Sequence, residues 1–398
     1  MKVALLGVFA CCVVVLAAGS GDRRDRQPRA SQGAATSGPR APSSVHPRRP
    51  SRYRLPRNAV RVASTKQLRA ELDRRRRTAI VIANGRYDSR RPFLNPYGHH
   101  LYAANLGRAV LRAGLSLGGN TGRGGALVRG VVVDVRDARR TVDGAAIAVW
   151  GTGRGARILD TTVRGHGTLS AGVEARRPEG LVIERLVARR FRDFGVLVDA
   201  NDPERDTSGP GFRLEDVDVA GVARASPGSS MGRAEACVWI GHSGTVRRVR
   251  ARSCAWSGLW TGTVARRARF EQIDVDRART GVYLEHFTHK SLFRRLRVGP
   301  HVRVGLTAEW ADPVWGRRPA SVDNVIEDSH FESTLAGIYL DEGTTGTTVR
   351  RSTFGGQSWA AIGDYLGHGN RFYANDYRRI GADAQAIRHD HLSAIREG

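Results

Sequence analysis

Three consecutive segments of one form end in a carboxylate: GVYLE at 281–285, GLTAE at 305–309 and GIYLD at 337–341. The acids are Glu285, Glu309 and Asp341, and Tyr283, Thr307 and Tyr339 stand two residues before them. Four more segments share the pattern small–apolar–X–apolar–X: GVLVD from Gly195, CVWIG from Cys237, GLWTG from Gly258 and AIGDY from Ala361. Stacked as neighbouring parallel strands, such segments bring equivalent residues to about 4.7–4.9 Å from rung to rung. Glu285 and Glu309 then face each other as like charges, with Asp341 one rung further, which is unfavourable as it stands. Protonation of one acid, a cation such as calcium, or an arginine relieves it. A proton held between two acids is the raw material of general acid–base catalysis.

Beside the acids runs a second column: Leu197, Trp239, Trp260, Tyr283, Thr307, Tyr339 and Gly363. Aromatic rings next to hydrogen-bonding carboxylates suit sugars, whose C–H faces are apolar and whose edges carry hydroxyls. Large rings on an outward sheet face also cost solvation unless something covers them. The expected site therefore has Glu285, Glu309 and Asp341 as catalytic acids and Trp239, Trp260, Tyr283 and Tyr339 as sugar platforms. His286, Trp310 and Glu342 follow at the edge of the turn as further substrate contacts. The plainer alternative is that the rings stack as structural ladders or lie under loops, while the acids balance an excess of arginine. Asp199, separated from Glu285 by the glycine rungs Gly241 and Gly262, takes that plainer reading. His286, His289 and His301 show no zinc spacing, and no metal is assigned.

The elements that must position these residues are short strands. The seven segments start 42, 21, 23, 24, 32 and 24 residues apart, so the unit is 21–24 residues with two longer gaps. A second series lies between them: LVIERLVA, FRLEDVDV, GTVRRVRA, ARFEQIDV, SLFRRLRV, NVIEDSHF and TTVRRSTF. Both series alternate apolar and polar residues with period two, the mark of strands with one buried face. No segment after Ala109 shows a helical period until the last dozen residues. Val196, Val198, Val238, Ile240, Val282, Leu284, Ile338 and Leu340 are expected to face inward, which turns the two columns outward. The long gaps, 201–236 and 311–321, are rich in Pro, Gly and Ser and leave the strands beside the acids, as walls of a groove would. Trp310 and Trp315 belong to the second wall. Leucine-rich arrays need a fixed Leu/Asn pattern that is absent, and propellers need about 40 residues per blade.

What remains is a chain wound so that equivalent strands stack in register around a narrow apolar interior. From about residue 58 to 381 the sequence resembles right-handed parallel β-helix proteins of the pectin-lyase-like superfamily. The fold class is thus all-β, a right-handed parallel β-helix (solenoid) with a short N-terminal cap helix. The start fits: STKQLRAELDRRRR at 64–77, then TAIVIANGRYD, looks like a cap helix and first strand, with Leu68 and Leu72 on one face to plug the open end. The resemblance implies action on polysaccharide by one of two chemistries. Hydrolysis would use the acids as a pair; two rungs apart, near ~9.5 Å, they suit inversion, and adjacent rungs near ~5 Å suit retention. The wider pair, Glu285 with Asp341, is preferred. A lyase would instead place calcium on a uronate and need a base; Lys290 is the only lysine in the coils, and arginine is a poor base. Hydrolysis is therefore favoured over β-elimination, and the alternative is a non-catalytic cell-surface or glycan-binding scaffold.

The whole chain has 398 residues with 40% hydrophobic content, enough for a sizeable core, and a net charge of +26. Of its 64 basic residues only Lys2, Lys66 and Lys290 are lysines. A basic chain favours nucleic acid, anionic glycans or anionic membrane surfaces. The acidic row beside the aromatics and the expected export argue against nucleic acid. Residues 1–19 read as a signal peptide, with an apolar run from Val3 to Ala18 and Ala17-Ala18-Gly19 as cleavage site. Residues 20–58 read as an Arg/Pro/Ser-rich linker able to touch anionic cell-envelope polymers. The β-helix is expected over 59–385 and a tail or cap over 386–398, in a secreted, extracellular protein with no transmembrane span after cleavage. Cys237 and Cys254 are then the remaining cysteines, and two buried free thiols are preferred over a bridge.

Overall fold

The computed structural model describes residues 54–118, 124–150, 154–176, 179–199, 211–222, 235–262, 265–285, 287–308, 321–390 and 392. All of them fall within one compact unit. The proposed signal peptide, most of the linker, residues 201–210 and 223–234 of the first expected wall and 311–320 of the second lie outside the described residues, as do Glu309, His286, Trp310 and Trp315. The middle of the first expected wall is corrected from loop to strand, Phe212–Val222.

Alternating apolar residues form parallel strands from Val60–Val62 to Gln385–Arg388, grouped among the described residues into sheets of 22, 12 and 3 strands. The first series of segments builds the twelve-strand sheet. Its inward residues behave as expected: Val196, Val198, Val238, Ile240, Val282, Leu284, Ile338 and Leu340 are all buried in one continuous core.

The second series departs from simple alternation at one place. In LVIERLVA the buried residues are Leu181, Ile183, Leu186 and Ala188, so the period of two breaks between Ile183 and Leu186. Arg185, inside that break, has φ 56°, and the residues in register on other coils do the same: Asp216 at 57°, Arg248 at 52°, Gln272 at 57°, Asp328 at 51° and Arg351 at 50°. A left-handed residue turns the strand through a corner and lets both halves point apolar groups inward. It costs a side-chain-bearing residue about 1–2 kcal/mol. Compensation comes from the neighbouring coil: the Arg185 N–H donates to Glu215 O at 2.9 Å and the Asp328 N–H to Arg350 O at 3.2 Å. Charges alternate up the same corner, with Arg248 on Asp216 at 2.6 Å, Arg351 on Asp328 at 2.7 Å and Arg185 on Asp160. Much of the arginine is thus spent on stitching coil to coil, where its planar fork reaches two acids at once.

The small residue that opens each segment of the twelve-strand sheet marks a tight inward approach. A Cβ on Gly305 would stand 2.3 Å from Gly337 O and 2.5 Å from the Phe331 ring. Cys237 occupies that column, between Gly195 and Gly258, and fits because the residue opposite changes too. Gly195 and Gly258 lie against Val219 and Val275, whereas the coil between them carries Ala251 in register with both valines. The expectation of two free thiols is corrected here: Cys237 and Cys254 form a disulfide, with Cα atoms 5.5 Å apart. Cys254 ends the strand Gly244–Cys254, so the bridge ties two sides of one coil across the interior. The closed loop of separation 17 gives an expected stabilisation of ~3 kcal/mol. Cys237→Ala/Cys254→Ala should lower the urea midpoint accordingly; equal midpoints with and without reductant would show that the bridge contributes nothing.

At the N-terminal end the helix Thr65–Leu72 closes the first coil. Ser64 caps it, accepting from the Gln67 N–H at 3.2 Å, while Gln67 Oε1 accepts from the Ala63 N–H at 2.8 Å. Leu68 and Leu72 are buried as a plug, as expected. The helix stops at Leu72 rather than reaching the run Arg74–Arg77, and a strand, Val60–Val62, precedes it and pairs with Ala79–Ile82.

Candidate functional site

The register of the outward column is the one read from the sequence. Leu197 pairs with Trp239, Trp239 with Trp260, Trp260 with Tyr283, Tyr283 with Thr307, Thr307 with Tyr339 and Tyr339 with Gly363. The acid column follows it one step on: the Glu285 N–H donates to Thr261 O at 2.8 Å and the Asp341 N–H to Ala308 O at 3.0 Å, continuing the ladder.

The rings do not form an exposed strip, however, and that expectation is corrected. Trp260 is 9% exposed, Tyr283 7% and Tyr339 1%, while Trp239 is half-buried. They cover one another edge to face, Trp260 on Tyr283 with centroids 4.8 Å apart and Trp239 on Trp260 at 6.5 Å. Rings at or just before the strand starts add to the cover: Phe194 stacks on Trp239 at 5.6 Å, and Trp256 meets Tyr283 at 6.4 Å with Arg279 over its own face. Tyr339 belongs to a second cluster with Leu335, Trp359, Tyr365 and Leu392. Phe194, Trp256 and Trp359 were missed by the sequence reading. The signal was present, a ring one or two positions before the small residue of three segments, but it falls outside the alternating pattern.

Two of the expected acids are tied to the ring column. Glu285 Oε2 accepts from Trp260 Nε1 at 2.9 Å. The glycine at the preceding rung makes that approach feasible, since a Cβ on Gly262 would lie 2.7 Å from both Glu285 Oε2 and Trp239 Nε1. The Trp239 indole N–H is buried and has no hydrogen-bond acceptor among the described residues. Asp341 Oδ1 accepts from Tyr339 Oη at 3.3 Å and from the Glu342 N–H at 2.9 Å. Glu342 is exposed beside it. The structure thus brings Glu285 together with Trp239, Trp260 and Tyr283, and Asp341 together with Tyr339 and Glu342. Glu309, His286 and Trp310 lie outside the described residues. Among the described residues no three His, Cys, Asp or Glu side chains converge as a metal site would require.

Burial, reinforced by the Asp341 carboxylate, pushes the Tyr339 phenol well above its ordinary value of 10. A phenol that keeps its proton longer when folded contributes stability that is complete below pH 10 and is lost as pH rises above it. Stability should therefore fall with alkaline pH, and Tyr339→Phe should flatten that slope in urea titrations run from pH 9 to 11. An unchanged slope would place the alkaline sensitivity at other tyrosines.

No protein-family model matches this chain, and no curated protein matches it. Solved structures do. The catalytic domain of a GH87 alpha-1,3-glucanase in complex with tetrasaccharides matches over 86% of this chain and 70% of that one, with 12% identity and a TM-score of 0.52. The same domain in complex with nigerose gives the same coverage and identity with a TM-score of 0.50. PfbA, a surface adhesin of Streptococcus pneumoniae, matches over 83% of this chain and 93% of that one, with 10% identity and a TM-score of 0.46. The stacked parallel sheets and the likeness to the GH87 domain show the fold: a right-handed parallel β-helix.

Proposed function

We propose that the outer face of the twelve-strand sheet binds an extracellular polysaccharide and hydrolyses it at the acid column. The observation that carries the reading is the coupling of ring and acid on adjacent rungs, Trp260 Nε1 to Glu285 Oε2 at 2.9 Å. That indole holds the carboxylate in one orientation at the edge of an aromatic surface, as a sugar-processing acid requires. The rings that keep exposed area, Trp239 with Phe194 and Trp256, supply the apolar platform. Tyr339 is withdrawn from that role by Leu392, and its hydroxyl instead positions Asp341.

Glu285 and Asp341 stand two rungs apart, roughly 9.5 Å at the spacing of parallel strands, with position 309 between them in the chain's own repeat. That span lies at the upper end of the range in which one carboxyl protonates the leaving oxygen while the other activates water on the opposite face of the ring. Donors from Tyr339 and the Glu342 backbone hold Asp341 in one orientation, and it is assigned as the base. Glu285, set among indoles, is the acid. The GH87 enzyme of similar fold was solved with tetrasaccharides and with nigerose, which supports a sugar chain as ligand. Export, with residues 20–58 touching anionic envelope polymers, completes the reading; among the described residues no helix is long and apolar enough to cross a membrane.

A second reading, a glycan-binding scaffold without turnover, draws on the mutual burial of Trp260 and Tyr283. One experiment separates them. Purified protein is screened against a polysaccharide panel, following reducing ends together with ultraviolet absorbance of unsaturated products. Hydrolysis raises only the first, elimination raises both, and binding without either signal selects the scaffold.

A further inference from the structure

Four coil rungs before Trp239 in the twelve-strand sheet, the molecule carries a second concave site of different chemistry. The strands Gly85–Tyr87, Ala109–Leu111 and Val132–Asp134 lie in register, so Asp88, Arg112 and Asp134 close them at successive rungs of one corner. A cavity of about 290 Å³ opens there. Arg86, Arg112, Arg136 and Arg140 line it, interleaved with Asp88, Asp134 and Asp137, and no aromatic ring takes part.

Its charges are not equivalent. Asp134 is fully engaged, Oδ2 taking Arg112 Nη1 at 3.0 Å and Oδ1 meeting His166 Nε2 at 2.6 Å, so it holds Arg112 in place. Arg140 lies only loosely near Asp137, at 3.8 Å. The side chains of Arg86, Arg136 and Asp88 make no hydrogen bond or ion pair with a described residue. The outer wall is nevertheless fixed without help from any ligand. Thr168 Oγ1 donates to Arg136 O at 3.0 Å, the Arg139 N–H to Asp137 Oδ1 at 3.0 Å, and the Gly114 N–H to Arg140 O at 2.8 Å.

We infer that this cavity binds a single monoanionic sugar unit, a hexose carrying one carboxylate or one sulfate. Four arginines against three aspartates leave a lining charge of +1, which a monoanion neutralises. Guanidinium forks match the oxygens of a carboxylate or sulfate, and short charge-assisted bonds there carry the affinity. Asp88 and Asp137 accept hydroxyl hydrogens and repel a bare multivalent anion, so the ligand must bring neutral hydroxyls alongside its charge. The volume sits at the lower limit of small-molecule pockets, about 300 Å³, which fits one ring rather than a chain. The site is independent of the polysaccharide reading for the aromatic face, because it uses no residue of that face.

Calorimetric titration of the whole protein with glucuronate, glucose 6-sulfate, glucose and sodium sulfate tests it at low and at physiological ionic strength. The two anionic sugars should bind at least tenfold more tightly than glucose and than sodium sulfate, and more weakly as salt rises. Arg86→Gln/Arg136→Gln should lower that affinity at least tenfold with the thermal midpoint unchanged, since neither side chain supports the fold. Glucose binding as tightly as glucuronate, sodium sulfate binding as tightly as glucose 6-sulfate, or undiminished binding by the double variant would each overturn the inference.

Discussion

Glu285→Gln is expected to lower polysaccharide turnover by roughly 10²–10⁴-fold while changing substrate binding only a few-fold. Glutamine keeps the shape and still accepts from Trp260 Nε1, so the ring surface around it is preserved. What it loses is a proton to deliver to the departing oxygen. Asp341→Asn should produce a loss of similar size by removing the base, and the double variant should be little worse than either, because the two act in one step. Single-turnover rates with equilibrium binding measured on the same variants give the split. A turnover unchanged by both substitutions would remove these acids from the chemistry. A loss confined to binding would favour the scaffold reading.

The largest expected effect on stability lies in the interior. Phe293 is fully buried and stacks on Phe270 with centroids 4.7 Å apart and planes within 5° of parallel. Ile326 occupies the next rung in register. Phe293→Ala removes the ring from both neighbours and leaves a cavity that two rigid coils cannot close, at a cost of ~3–5 kcal/mol. Native stabilities are commonly only about 5–15 kcal/mol, so much of the protein's margin is at stake. In a solenoid each coil leans on its neighbours, and weakening one rung loosens those on either side. Leu94, 50% exposed, provides the control. Leu94→Ala should stay within about 0.5 kcal/mol. If both variants unfold at the same urea concentration, the ring ladder is not what holds the coils together.

The interior and the register were legible because both follow from a local pattern. Alternation identified Val196 through Leu340 as core, and the spacing of the small residues aligned Trp239, Trp260, Tyr283 and Tyr339 correctly. Alternation says which side a side chain leaves from and nothing about what lies over it. Tyr339 is covered by Leu392, 53 residues later in the chain, and no local pattern announces that contact. Phe194 opens its strand and Trp256 sits just before its own, where the alternation has not begun. The bridge between Cys237 and Cys254 escaped for a related reason. It depends on Ala251 standing where adjacent coils carry valine, a fact visible only once the opposite wall of the interior is aligned. The arginine-lined cavity was also missed, since its residues come from three coil ends and a short turn, each unremarkable alone.

Because side chains on this scaffold are placed by counting coils, distances along its flank come only in whole steps. Excising the single coil that ends in Val302–Ala308 would slide Asp341 one step closer to Glu285, from roughly 9.5 to roughly 4.8 Å. Nothing between those values is on offer. If the two acids hydrolyse a sugar bond as proposed, a lineage of such proteins could switch the stereochemical outcome by gaining or losing one turn of chain, without altering either acid.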